Sequence, residues 1–176
     1  MYRNSHVGIS YEISSRGTIS ATLSGTTGTP CLVGGHGAGI VCQNCAATTI
    51  ADNLIAWCPD GIAIVEQERV IIDRVEQIVV RSNTVVGSEG TVALGWLTDR
   101  AAEYLFQPGA QNQGAENRYW FRDREGDSER FAWEGSRLDL PAFNATPGEE
   151  AGRHLSDAEK DRILALAGVP TSQEHP

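Results

Sequence analysis

The four cysteines of this 176-residue chain all lie between Cys31 and Cys58, which indicates that their thiols meet at one place. Cys42 and Cys45 are separated by two residues, a spacing that lets two thiolates bind zinc from one tight turn. A structural zinc ion takes four ligands in a tetrahedron, and thiolate is the commonest of them in such sets. We therefore predict a zinc site with the ligands Cys31, Cys42, Cys45 and Cys58, in which His36 is the alternative to Cys31.

The segment between Cys45 and Cys58 decides whether these ligands can meet. A hairpin closed at Asp52-Asn53, a turn-forming pair, would return Cys58 to the side of Cys45. A helix would instead hold the two cysteines about 20 Å apart, because each residue adds about 1.5 Å along its axis. The amphipathic spacing of this segment is weak for a helix, so the hairpin is the favoured interpretation.

The pair Cys42 and Cys45 has two other interpretations. At the N-terminus of a helix such a pair has a lowered thiol pKa and can cycle between dithiol and disulfide, as in a small redox enzyme. Cysteines also pack in protein cores without any chemical role. No βαβ pattern precedes Cys42, so the redox use has little support from its context.

A glycine-rich run offers a second candidate site, for a dinucleotide. The fingerprint of such sites has glycine at its first, third and sixth positions, so that the backbone can approach a pyrophosphate. Gly34 and Gly39 fit the first and last positions, but His36 occupies the middle one. Glu66, which ends a predicted strand, is at a distance that suits a ribose hydroxyl. A flexible or bulged loop beside the cysteines is nevertheless the favoured interpretation.

The charge of the chain argues against nucleic acid as a partner. The formal net charge is −9 and the pI is about 4.8, whereas a nucleic-acid binder needs positive surface to displace counterions from phosphate. The first residues do not resemble a signal peptide, and no run is long enough to span a bilayer. We therefore expect a cytoplasmic protein without a membrane partner, in a compartment that keeps thiols reduced.

Short β-branched and partly alternating runs predict a β-rich fold. The candidate strands cover residues 6–14, 18–24, 61–65, 69–72, 77–82 and 91–97. Residues 118–123 and 129–133 carry five of the 12 aromatic residues and predict an aromatic hairpin. Ser156 and Glu159 form a capping box, which predicts a C-terminal helix that ends near Gly168.

These elements together predict an α+β, β-rich protein of antiparallel strands and hairpins, with a zinc-knuckle-like cysteine element and a C-terminal helix. Residues 1–140 are expected to form a β-rich globular domain that includes the cysteine cluster. Residues 141–155 read as a linker, 156–168 as the helix and 169–176 as a tail. No internal repeat is evident.

The leading functional hypothesis is a non-enzymatic, zinc-stabilised structural or protein-interaction protein that works with a protein partner or in a larger assembly. One alternative is a small redox enzyme that uses Cys42 and Cys45, or a dinucleotide bound between Gly34 and Gly39. A second alternative is an acidic inhibitor that occupies the binding surface of a nucleic-acid-binding protein.

Overall fold

The computed structural model describes residues 2–4, 7–26, 37–68, 74–87, 92–99, 104–122 and 129–172. Sixteen short strands and two α-helices are found in these ranges. The strands are β1 (Tyr2–Asn4), β2 (Ile9–Glu12), β3 (Thr18–Ser20), β4 (Leu23–Thr26), β5 (Ala38–Gln43), β6 (Thr49–Ala51), β7 (Leu54–Ala56), β8 (Asp60–Glu66), β9 (Val79–Arg81), β10 (Thr84–Gly87), β11 (Val92–Thr98), β12 (Gln113–Ala115), β13 (Arg118–Phe121), β14 (Phe131–Trp133), β15 (Ser136–Leu138) and β16 (Arg153–His154). The helices are α1 (Leu140–Phe143) and α2 (Asp157–Leu166), and two single 3-10 turns lie at Tyr104–Phe106 and Pro108–Ala110.

The strands form three sheets that the chain visits in rotation, so the fold is a β-solenoid. The strand order is β15-β14-β11-β8-β5-β2 in the first sheet, β12-β9-β6-β3 in the second and β1-β4-β7-β10-β13-β16 in the third. Each circuit of the chain adds one strand to each sheet and lies beside the previous circuit. We call each circuit a coil.

The strands pair in parallel, and this contradicts the predicted antiparallel fold. Thr18 is in register with Thr49, Thr49 with Val79 and Val79 with Gln113, at separations of 31, 30 and 34 residues. Among the described strands only β14 and β15 pair antiparallel, through a two-residue turn at Glu134-Gly135 with positive φ at both positions. The chain therefore does contain a structural repeat of about 30 residues, which sequence inspection missed.

Residues 45–58 show how the hairpin prediction failed. The turn at Asp52-Asn53 exists, and strands β6 and β7 flank it as expected. The two strands nevertheless belong to different sheets, because the turn is a corner of the solenoid and each strand pairs with the coils on either side. The predicted aromatic hairpin fails for the same reason, since β13 and β14 lie in the third and first sheets.

Every corner between the second and third sheets has the same backbone conformation. The residue that enters the corner has positive φ, with values of 50°, 57°, 55° and 56° in successive coils. These residues are Ala21, Asp52, Ser82 and Glu116. A non-glycine residue pays about 1–3 kcal/mol for this conformation, so other interactions must hold the corner.

A ladder of buried asparagines supplies those interactions. Asn53, Asn83 and Asn117 each follow a positive-φ residue and point into the solenoid. The Asn83 Oδ1 accepts from the backbone N–H of Asn53 at 3.0 Å and from its Nδ2 at 2.9 Å. The Asn117 Oδ1 accepts in the same way from Asn83, at 2.9 and 3.0 Å. Each asparagine Nδ2 also donates at 2.9 Å to a backbone carbonyl of the preceding coil. The side-chain amides are therefore hydrogen-bonded to the coils on both sides of them.

Inward-facing side chains fill the space between the three sheets. In β5 and β8 the core residues alternate with outward ones, as the period of a strand requires. Ile40, Ile62 and Ile64 belong to the central cluster, whereas Val41 and Ala63 belong to a separate cluster on the outside of the first sheet. That outside face is buried as well, so every residue of β5 and β8 is buried. Their sequences therefore lack the alternation of apolar and polar residues that would have identified an inner and an outer face.

Helix α2 covers the outside of the third sheet. Leu164 is fully buried there with Trp57 and Trp120, whose rings meet edge to face at 5.9 Å. The Trp120 Nε1 donates to Asp157 at 2.7 Å, and Lys160 lies 4.5 Å from the Trp120 ring centroid. The helix is therefore docked on the solenoid body.

The predicted capping box of this helix is confirmed, since Ser156 and Glu159 exchange the two expected hydrogen bonds. The segment 141–155, predicted as a linker, contains the end of α1, a fully buried Glu149 and strand β16. No helix in the described part of the chain is long and apolar enough to cross a membrane.

Candidate binding groove

The described cysteines of the predicted zinc site lie inside the solenoid. Cys42 is in β5 and faces the core, and Cys45 follows in the next corner with its thiol donating to the Tyr11 carbonyl at 3.0 Å. Cys58 packs against Gly39, at the start of β5, and donates to the Ser24 carbonyl at 3.7 Å. Because Gly39 and Cys42 are three residues apart on one strand, their Cα atoms are about 10 Å apart.

The predicted zinc-knuckle-like element is therefore wrong as part of the fold, since Cys42 lies in a parallel strand and not in a knuckle turn. No three potential metal ligands come together among the residues that the structure describes. Cys31 and His36 lie outside the described residues, so the four-ligand site itself stays a prediction.

The thiols of Cys42 and Cys45 are adjacent and fully buried. Their shared hydrogen bond raises the pKa of the Cys42 thiol well above its usual range, and burial and repulsion from Cys45 act in the same direction. A redox cysteine needs a lowered pKa and solvent access, and the surroundings of Cys42 provide the opposite.

The predicted dinucleotide loop falls mostly outside the described residues, which begin again at position 37. Gly39 is buried within β5, where a Cβ would collide with Ile55 Cγ2. Close packing between the first and third sheets explains a glycine at this position without a nucleotide. Glu66, the expected ribose acceptor, is buried, with the backbone N–H of Leu105 at 3.4 Å from its Oε2.

The second sheet presents an open surface. Outward positions on the central strands of the first and third sheets are buried, for example Val41 at 2% exposure and Val86 at 0%, whereas the edge strand β2 is partly exposed. Apart from Val79, the outward residues of β3, β6, β9 and β12 are small or polar, and Thr18, Ser20, Arg81 and Gln113 among them are exposed. We call this surface the open sheet.

A groove lies at the end of the open sheet formed by the last coils, with a volume of about 860 Å³. One wall is a set of amide side chains from successive coils. Gln77 and Gln111 occupy equivalent positive-φ corner positions, and Gln113 projects from β12 beside Val79. Within the described residues these three glutamine side chains have no hydrogen-bond partner. We call this feature the amide groove.

The other wall of the amide groove is residues 144–150, and it is fixed by hydrogen bonds. Asn144 closes a loop with Gly152 through two bonds, of 2.9 and 3.1 Å. Gly114 in β12 donates to the Pro147 carbonyl and accepts from the Glu150 backbone, both at 2.9 Å. This wall thus extends the second sheet by a strand-like segment.

Glu149 joins the groove wall to the asparagine ladder. Its carboxylate accepts from Asn117 Nδ2 at 2.8 Å and from the Tyr119 hydroxyl at 2.5 Å. Glu149 thus occupies the position at which a further coil would place the next asparagine of the ladder. Burial raises the pKa of Glu149, and the hydrogen bonds from Tyr119 and Asn117 oppose that rise. Glu149 therefore ends the ladder and anchors the wall, while its neighbour Glu150 is exposed in the groove.

Sequence inspection missed the groove residues, but one signal was available. The six-residue segments IADNLI, VRSNTV and GAENRY begin at positions 50, 80 and 114, and each places asparagine fourth. Aligning them exposes the repeat and puts Gln77 and Gln111 in equivalent positions. No such pattern marks Glu149, which comes from a segment outside the repeat.

No family model, curated protein or solved structure matches this chain.

A thiol-labelling experiment distinguishes packed cysteines from a metal site. In a Cys31→Ser variant, we expect Cys42, Cys45 and Cys58 to resist a thiol-reactive dye until the protein is unfolded, because all three thiols are buried. Protection should persist in excess chelator. Protection that is lost on chelation, together with about one zinc per wild-type chain by mass spectrometry, would instead support the predicted zinc site.

Replacing Glu149 by glutamine is expected to remove a pH dependence from the free energy of unfolding. The pKa of Glu149 is raised in the folded state above its ordinary value of 4.5, so the folded state holds this proton more tightly than the unfolded state does. The stability that protonation of this group contributes is complete below pH 4.5 and is lost as the pH rises through the folded-state pKa.

Urea unfolding between about pH 4 and pH 8 measures this effect. We expect the wild type to lose stability relative to E149Q as the pH rises. Glu150→Gln is the control and should keep the wild-type profile, because it leaves Glu149 in place. Parallel profiles for wild type and E149Q would contradict the assignment.

Proposed function

We propose that this chain is a non-enzymatic protein-interaction protein, which binds a partner along the open sheet and the amide groove. The observation that carries the proposal is the cluster of three glutamine amides at the end of the open sheet, which have no hydrogen-bond partner among the described residues. Hydrogen bonds fix the backbone of both walls, so binding there mainly orders the glutamine side chains.

Hydrogen bonds between coils supply rigidity in the described part of the chain. The asparagine ladder and Glu149 hold the corners and the groove wall, so the interaction surface does not depend on zinc in this proposal. The zinc site remains a separate prediction. The two alternatives gain no favouring observation, because Cys42 is buried with a raised pKa and the open sheet carries Arg81 where an acidic mimic would place carboxylates.

Site-specific photo-crosslinking tests this proposal. Replacing Gln113 by photo-reactive benzoylphenylalanine places the probe on the open sheet, and Leu166, which is 82% exposed on α2, is the matched control position. In the organism that encodes the chain we expect a discrete protein adduct from position 113 and none from position 166.

A blocking substitution makes the crosslinking result specific. Val79→Arg adds a long charged side chain beside position 113 on the outer face and should abolish the adduct, while the free energy of unfolding changes by less than about 0.5 kcal/mol. The absence of an adduct at position 113, or equal adducts at both positions, would contradict the proposal.

A further inference from the structure

We infer that the occupant of the amide groove is an extended polypeptide segment that places a basic side chain against Glu150. This inference rests on the proposed interaction function and specifies the chemistry of the partner. The hydrogen-bonding groups, the charge and the shape of the groove support it.

The hydrogen-bonding groups of the groove suit peptide bonds. A glutamine side chain carries the same carbonyl acceptor and N–H donors as a peptide group and can pair with one through two hydrogen bonds. Gln77 and Gln111 are neighbours in adjacent coils, whose strands lie about 4.8 Å apart, and Gln113 follows Gln111 on the same coil beside Val79. They therefore offer a cluster of such pairing groups, and Val79 and Pro147 add apolar contacts to the lining of the groove.

The charge of the groove favours a basic side chain in the bound segment. Among the described residues that line it, the charged ones are Glu149 and Glu150, and none is basic. The Glu149 carboxylate is already engaged by Tyr119 and Asn117, which leaves the exposed Glu150 carboxylate for a ligand. A net charge of −9 on the whole chain adds attraction for a basic segment at a distance.

The shape of the surface favours an extended ligand. The amide groove is open and continues into the open sheet, whose four strands span about 14 Å at the usual spacing between strands. An extended segment can lie across several coils and reach the groove at one end. A compact ligand would use the groove alone and leave the sheet bare.

Selection from a phage-displayed library of random linear peptides tests the inference. Peptides enriched on the wild-type protein are synthesised with capped ends and titrated by calorimetry. We expect lysine or arginine in the enriched sequences and an affinity that falls as salt rises. Glu150→Gln should weaken binding roughly threefold, as for a partly exposed ion pair. Glu134→Gln is the matched control and removes the same charge from the exposed β14–β15 turn, outside the groove.

The remaining outcomes overturn the inference in distinguishable ways. Enriched peptides that lack basic residues, or that bind E150Q as tightly as E134Q, would refute the role of Glu150 while the crosslink at position 113 still supports an interaction site. Salt-independent binding of neutral oligosaccharides that is lost in a Gln77→Ala, Gln113→Ala double variant would assign the groove to hydroxyl-rich ligands instead. If no peptide is enriched while the crosslink forms, the extended-peptide inference is wrong and the interaction proposal stands.

Discussion

The asparagine ladder is the interaction on which the rest of this structure depends. A parallel solenoid must turn a corner in every coil, and this chain makes the turn with non-glycine residues at positive φ, which is unfavourable. Asn53, Asn83 and Asn117 offset that cost, because each side chain satisfies backbone groups that the corner would leave unpaired in the interior. Successive corners thereby stack in register, and the strands that flank them must stack as well.

The end of the ladder positions the surface to which the proposed function assigns a partner. Glu149 takes the place of a further asparagine, and the segment that carries it folds back along β12. This segment becomes one wall of the amide groove, so the same carboxylate completes the interior network and positions the surface. Helix α2 occupies the outside of the third sheet and leaves the second sheet exposed. The ladder is internal and the glutamine amides of the groove are outside, and Glu149 connects the two.

The sequence predicted the local structure better than the pairing. The corner at Asp52-Asn53 and the capping box at Ser156 were found because turn and capping preferences are local properties of a few residues. The parallel pairing was missed because strands of three or four residues with both faces buried do not alternate, and hairpins are the simplest way to connect short strands. The clustered cysteines also did not indicate the fold, because Cys42 lies within strand β5 and Cys58 packs beside the start of that strand, instead of in a zinc knuckle. The groove depends on contacts between residues far apart in the sequence, and the repeated asparagines were the one sequence signal of that stacking.

Equilibrium urea unfolding of an Asn83→Ala variant tests the role of the ladder most directly. Asn83 is fully buried at the middle of the ladder, and its replacement by alanine removes the partners of the buried Asn53 N–H and of the Ile50 carbonyl. The backbone N–H at position 83 still donates to Asn117 in this variant. The expected loss is about 3 kcal/mol, since each unpaired buried group costs about 1–3 kcal/mol before any relaxation. Gln113→Ala, at an exposed position, should change the free energy of unfolding by less than about 0.5 kcal/mol. An Asn83→Ala protein as stable as this control, with an unchanged slope against urea, would contradict the account.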